Sequence, residues 1–430
     1  MTALLLVLSG LGAGLGCHLQ SLMPEPERLE PLGGGARNYF APRPAQETPL
    51  AGGDPLGRDL AAAIPQIARD RGHPPPVHDA RLDAVAEVLA EAVDDDEVPG
   101  IEMVEFLLSH HGLGEPPPEL TMLSMSVEDD FIRDRVTEAL RRVLGEGPFG
   151  RVGVGVHRRL IGASVVVALQ QVRLEMLPVP RRLPAGGQAL LGGSLAPGLS
   201  SPAVLIAPPT GAVFPLAVRS GGLPPGGGDL PRPERPLGPR ARVSFRATFS
   251  CGRRPGRYQI EVQGKDGLGK RLLANFPVFC GVDPPATGPR VGITRPETRD
   301  AAAAERLLLE TVNQDRRAAA LPPLSWDPTL AKVARAYAEE MAQSRVVAHA
   351  SPRSGNARSR LRAESDAPAL VLENVARAYS VADAHKSFLG SPGHRANVFH
   401  PQVQRAGVGV AIRDEPGGVA SLYVTQLFAR

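Results

Sequence analysis

The stretch Leu389-Gly390-Ser391-Pro392-Gly393-His394-Arg395-Ala396-Asn397-Val398 decides how this chain is read. Ser391-Pro392-Gly393 is a helix cap and tight turn, a local geometry that aims His394 inward. Working back from it, a second histidine stands in Val347-Ala348-His349-Ala350-Ser351, and an acid in Glu373-Asn374-Val375-Ala376. Each lies at or near a break between predicted helices, Glu373 opening a turn or capping a helix start. Histidine and glutamate can bind a divalent metal or move a proton near neutral pH. No other part of the sequence gathers a comparable set.

The surroundings predict a layered α+β domain. Ala301 to Ala319 reads as a helix with Leu307, Leu308, Thr311 and Val312 on one side. Asp327-Pro328 is an N-cap followed by proline at the first helical position, and Leu330, Val333, Ala334, Tyr337 and Met341 continue as an apolar stripe. Ser380 caps a shorter helix carrying Phe388 and Leu389. Ala406 to Ala411 and Leu422 to Phe428 read as strands joined by the turn Glu415-Pro416-Gly417-Gly418. Helices over a small antiparallel hairpin give the layered arrangement.

Taken in order, Asn313-Gln314-Asp315-Arg316, Leu321-Pro322-Pro323-Leu324-Ser325-Trp326-Asp327, His349, Glu373-Asn374-Val375-Ala376, Ser391 to Asn397 and Gly407-Val408-Gly409-Val410 resemble the bacterial CAP superfamily, also called SCP or PR-1-like. The resemblance covers about residues 300–430. It implies an α-β-α sandwich, mostly secreted, with a central cleft of two histidines and two acids. His349 matches the first histidine, Glu373 the first acid and His394 the second histidine. The second acid falls near Ser387 to Ser391, where this chain has no Asp or Glu, so activity needing both acids is in doubt. Asn374 and Arg395 are expected to brace loops. His385 and His400 fall outside the matched positions and are expected at the surface. Gly407 and Gly409 allow close strand packing; no helix follows them, which excludes a dinucleotide loop.

The 430 residues suit several domains of roughly 100–200 residues each. The net charge of +3 is small for this length, and no Lys/Arg block is interleaved with aromatics, so nucleic-acid binding has no support. An apolar run from Leu4 to Cys17 is too short to span a bilayer and reads as an export signal. Gly14-Leu15-Gly16-Cys17 resembles a lipobox, with Cys17 as the acylated and membrane-anchoring residue. Cysteine usage agrees, since Cys251 and Cys280 both stand on the apolar side of alternating strands, suited to a disulfide between packed strands of an exported β-domain. Buried free thiols are the alternative.

The expected order is a signal over residues 1–17, a tether over 18–60, an α+β domain over 61–178, a β-sandwich-like domain over 200–284 and the last domain over 300–430. Pro178 to Pro202 reads as a loose connector, residues 223–239 as a loop inside the β-domain, and residues 283–296 as a linker. The first domain echoes the last. Asp79 to Ala86 repeats the pattern of Asp327 to Ala334, Ser109-His110-His111 falls roughly where His349 would, and Val152 to Val156 mirrors Ala406 to Val410. A degenerate CAP-like repeat is therefore expected, with an unrelated α+β domain as the alternative.

Three functions fit. One is a non-catalytic envelope module whose cleft holds a lipid, glycan or peptide. Another is a hydrolase in which Glu373 acts as base for a water held by His349 and His394, with or without Zn²⁺. The last is a structural protein with a vestigial cleft. No cofactor is required, and a zinc ion on His349 and His394 would be weakly held for want of a fourth protein ligand.

Overall fold

The computed structural model describes residues 28–42, 54–93, 98–220, 242–290, 292–293, 297–364, 368–414 and 420–430. Cys17, the export signal, the loop over 223–239 and the turn over 415–418 lie outside these residues. No helix among them is long and apolar enough to cross a membrane.

The N-lobe starts earlier than expected. Asp54 accepts from Gly57 N and Pro55 occupies the first turn, so α1 spans Pro55–Asp70. It is followed by β1 (Val77–His78), α2 (Ala80–Ala92), α3 (Ile101–His110), β2 (Glu119–Met125), α4 (Asp129–Val143), β3 (Arg151–Arg158) and β4 (Ala163–Gln170). The sheet runs β1-β3-β4-β2, with β1 parallel to β3 and the other pairs antiparallel. Every residue of β4 is buried because both faces are covered. Val165, Val167 and Leu169 meet α1 and α4, whereas Val166 and Ala168 meet α2 and α3. Continuous apolarity in a strand is the signature of that double burial.

The β-domain contains β5 (Leu174–Met176), β6 (Gln188–Leu195), β7 (Ser200–Ala207), β8 (Phe214–Leu216), β9 (Arg219–Ser220), β10 (Ser244–Ser250), β11 (Gly256–Asp266) and β12 (Gly269–Cys280). One sheet runs β9-β10-β6-β5 and the other β8-β7-β11-β12, with Arg182–Leu183 added in parallel to β12. Their inner faces share one core, including Phe245, Phe249, Ile260, Val262, Phe276 and Val278. Cys251, just past β10, and Cys280, at the end of β12, form a disulfide between the two sheets with Cα atoms 5.7 Å apart.

Two expected connectors are built into the structure. Pro178 to Pro202 holds the short strands Val179–Pro180 and Arg182–Leu183, β6 and the start of β7, with Pro202 at the register shift between Ser200 and Ala203 where the ladder is interrupted. Part of the tether is ordered as well. Tyr39 is fully buried in the β-domain core, its ring 4.8 Å from that of Phe276, and its hydroxyl lies 2.7 Å from Ser109 Oγ. The linker over 283–296 is stitched to the N-lobe, where Gly292–Ile293 pairs with Val98–Pro99.

The C-lobe contains α5 (Ala301–Ala318), β13 (Ser325–Trp326), α6 (Pro328–Ser344), α7 (Ala357–Glu364), β14 (Val371–Ala378), α8 (Val381–Gly390), α9 (Pro392–Val398), β15 (Arg405–Asp414) and β16 (Ala420–Ala429). Helices α5 and α8 cover one face of the sheet and α6 the other. Leu308 and Val312 are buried, but Leu307 is exposed. The strand order, β13-β15-β16-β14, has the same connections and directions as the N-lobe sheet.

Close helix–strand approach also recurs. A Cβ on Gly407 or Gly409 would lie 2.1 Å from the backbone N of Ala331 or Arg335 in α6. On Gly153 or Gly155 it would lie within 2.3 Å of the Leu82 or Ala86 backbone in α2. Only glycine lets these helices sit down on their strands.

Candidate functional site

The last turn of α6 ends at Arg345, whose left-handed φ of 57° sends the chain back across the lobe toward His349. Tyr337, inside α6, fixes that return by donating its hydroxyl to Ala348 O at 2.7 Å. His349 Nδ1 then lies 3.0 Å from Glu373 Oε2. Glu373 does not open a turn. It lies within β14, opposite Leu427 of β16, and its side chain is 6% exposed. Its other oxygen, Oε1, accepts from Arg360 of α7, also 6% exposed, and that guanidinium stacks 3.3 Å above the Tyr337 ring centroid. Tyr337, Arg360 and Glu373 thus form a connected buried network with the half-buried His349 at its edge.

His394 arrives from the opposite side. Ser391 caps α9, and the His394 ring lies 6.1 Å from that of His349 and edge-on to Phe388 at 5.3 Å. Burial, with His349 as a lesser cause, pushes the His394 pKa down to about 3, so the ring is neutral across the physiological range. Its Nδ1 is sealed from solvent without a hydrogen-bond partner among the described residues. Asn374 and Asn397 tie β14 to α9. Asn397 donates to Glu373 O at 3.0 Å and to Asn374 Oδ1 at 2.8 Å, and Asn374 donates to His394 O at 3.3 Å.

His349, Glu373 and His394 therefore stand together, but their donors do not fit a resident zinc. Catalytic zinc takes three protein ligands. Here Glu373 faces a guanidinium and orients His349, which leaves two imidazoles. Among the described residues no group of three His, Cys, Asp or Glu side chains is arranged to hold a metal.

Other histidines differ from expectation. His385 is 6% exposed, with Nε2 2.6 Å from Asp315 Oδ2, because its helical position turns it toward α5. His400, by contrast, stays at the surface, half-buried, where its Nδ1 accepts from Gln402 N at 3.2 Å. His110 and His111 end α3 instead of following α2, and His110 Nε2 meets Gly33 O. In the N-lobe sheet Leu120 occupies the register of Glu373, and Thr121 that of Asn374. Among the described residues that lobe has no such network.

Sequence reading missed Arg360 and Tyr337. Arg360 stands in a polar, arginine-rich helix with no pattern to single it out, and Tyr337 belonged to an apolar stripe that reads as core.

Residues 309–428 match the cysteine-rich secretory protein family, CAP. The protein YkwD of Bacillus subtilis (strain 168) is 29% identical over 126 residues, which is 29% of this chain and 49% of that protein. The chain thus spans about half the length of this curated relative. An outer surface protein from Borrelia burgdorferi is 20% identical over 30% of this chain and 96% of its own, with a TM-score of 0.27. An extracellular SCP-domain protein from Bacillus anthracis str. Ames is 20% identical over 43% of this chain and 64% of its own, also with a TM-score of 0.27. Residues 309–428, with the histidine pair at their centre, form a CAP domain of the cysteine-rich secretory protein family.

Proposed function

We propose that this is an extracytoplasmic, non-catalytic CAP-domain protein whose cleft binds a lipid, glycan or peptide of the cell envelope. The observation that carries this reading is the state of Glu373. Both carboxylate oxygens are engaged, one by Arg360 and one by His349, in a pair that is almost fully buried. A general base needs a carboxylate free to take a proton from water. Held between a guanidinium and an imidazole, Glu373 instead orients His349, and His394 is held neutral beside it. The interior offers fixed hydrogen-bonding groups, which suit recognition better than proton transfer.

An oxidising location is supported by the Cys251–Cys280 disulfide, since such bridges persist outside the cytoplasm. Acylation of Cys17 would add membrane anchoring; mass spectrometry of the mature N-terminus tests it, and an intact Met1 on cytoplasmic protein would refute export. The N-lobe we read as a CAP-like scaffold without cleft chemistry, on the strength of its matching strand order and paired glycine approaches.

The test is equilibrium binding of the full chain to three probes: phosphatidylglycerol vesicles, soluble cell-wall glycan strands, and an unstructured peptide pool. Saturable binding to one probe, weakened at least tenfold in His394→Ala, supports the reading. Absence of saturable binding to all three, or binding indifferent to both His349→Ala and His394→Ala, would overturn it.

A further inference from the structure

In β11 the apolar residues Tyr258, Ile260 and Val262 enter the β-domain core, so Gln259, Glu261 and Gln263 point the opposite way. In a free-standing sandwich that face would be wet. Here Glu261 is 1% exposed because it is packed on the C-lobe at Ser391 and Gly393, while Gln259, 9% exposed, lies against the N-lobe beside Ser109 and Leu113.

The hairpin is bonded to both segments that carry the histidine pair. At mid-strand, Glu261 Oε2 accepts from Ser391 Oγ at 2.5 Å and from Gly393 N at 3.3 Å, at the start of the helix that carries His394. Its Oε1 accepts from Gln263 Nε2 at 2.5 Å. Asn275 of β12 donates to Gly390 O at 3.3 Å. At the hairpin tip, Ala350 N donates to Leu268 O at 3.0 Å, and Arg271, anchored on Asp266, donates to Val347 O at 3.0 Å. A Cβ on Gly269 would lie 3.2 Å from that of His349. A buried carboxylate is retained at such a joint only when several donors satisfy it, which these do.

We propose that the His349–His394 pair is a two-domain site. The β-domain supplies, through Glu261, the carboxylate that fixes the His394 helix, and through Leu268–Gly269 the support that fixes the His349 loop. Glu261 is a positioning residue, acting on His394 through Ser391 and Gly393. It stands beside the segment from Ser387 to Ser391, where the C-lobe has no acid of its own. The consequence for ligand binding, that an occupant of the cleft meets a wall of β-domain, rests on the function proposed above; the architecture does not.

The experiment uses the full chain with isotope-labelled histidine, comparing wild type with Glu261→Ala and Glu261→Gln. The expected result for Glu261→Ala is a displaced His394 ring resonance, loss of its cross-relaxation with Phe388, and amide exchange across residues 393–397 at least tenfold faster. The His110 and His111 signals, in the other lobe, should stay in place. Glu261→Gln, which keeps an acceptor without the charge, should restore most of the wild-type spectrum. Should Glu261→Ala fail to fold, Ser391→Ala removes the other half of the bond and is expected to move the same signals. Unmoved His394 signals with exchange within threefold of wild type, in a folded variant of either residue, would overturn the proposal. Probe binding is scored separately. A displaced His394 in a protein whose wild type binds no probe counts against the proposed function and supports the two-domain site.

Discussion

Replacing Arg360 with methionine tests the network at its most buried point. Arg360 and Glu373 are each 6% exposed, so the variant leaves an ionised carboxylate in the interior without its guanidinium. Breaking such a pair costs about 3–5 kcal/mol, and the lost stacking on Tyr337 adds roughly 0.5–2 kcal/mol. Against this, methionine fills much of the space, and the His349 bond to Oε2 remains. A net local loss of about 3 kcal/mol follows, roughly a hundredfold in an opening equilibrium. The chain has several lobes, so native-state amide exchange across Val371–Ala378 is a better assay than global melting. Adding Glu373→Gln to Arg360→Met should recover part of the loss, because a neutral amide replaces the stranded charge, and the double-mutant cycle should show coupling of at least about 1 kcal/mol. Exchange in Arg360→Met within threefold of wild type, or additive single and double variants, would refute the reasoning.

Other outcomes follow from the same structure. Serine at Cys251 and Cys280 should cost about 3.6 kcal/mol for a sequence separation of 29, read as faster exchange in β10 and β12; no change would mean that the bridge adds nothing to stability. His394 has a folded pKa depressed to about 3, so the unfolded chain binds more protons between about pH 3 and 6.5. Its contribution to stability is complete above that window and lost as pH falls through it. Relative to His394→Asn, wild type should lose stability by up to about 1.4 kcal/mol per pH unit there, and parallel curves would contradict the assignment. Calorimetric titration with Zn²⁺ should give the same isotherm for wild type and His394→Ala, whereas a stoichiometric wild-type site lost in the variant would restore the metal reading.

The parts of the fold legible in the sequence are those whose signals are local. Asp327-Pro328 and Ser380 cap their helices as read, because caps act within one turn. Alternation places both cysteines on the inward side, and of the two outcomes that leaves open, a disulfide or buried free thiols, the disulfide is present. The misplaced features depend on distant neighbours. Glu373 reads as a cap from its flanking residues, yet lies in a strand because β16 pairs with it throughout. His385 looks free until Asp315, on another helix, stands beside it. Glu261 is the plainest case. Alternation marks it as turned away from the β-domain core but cannot say whether that face meets water or another domain. The three cleft residues were found through family motifs; the cation that holds Glu373 was not.

The most direct measurement for the central claim is turnover. Wild type and Glu373→Gln, each folded by amide exchange, are incubated with lipid vesicles, glycan strands and peptides, with and without Zn²⁺, and the products are analysed by mass spectrometry. The account predicts no product above the protein-free control from either protein under either condition. Multiple turnover by wild type that disappears in Glu373→Gln would contradict it and make Glu373 a base.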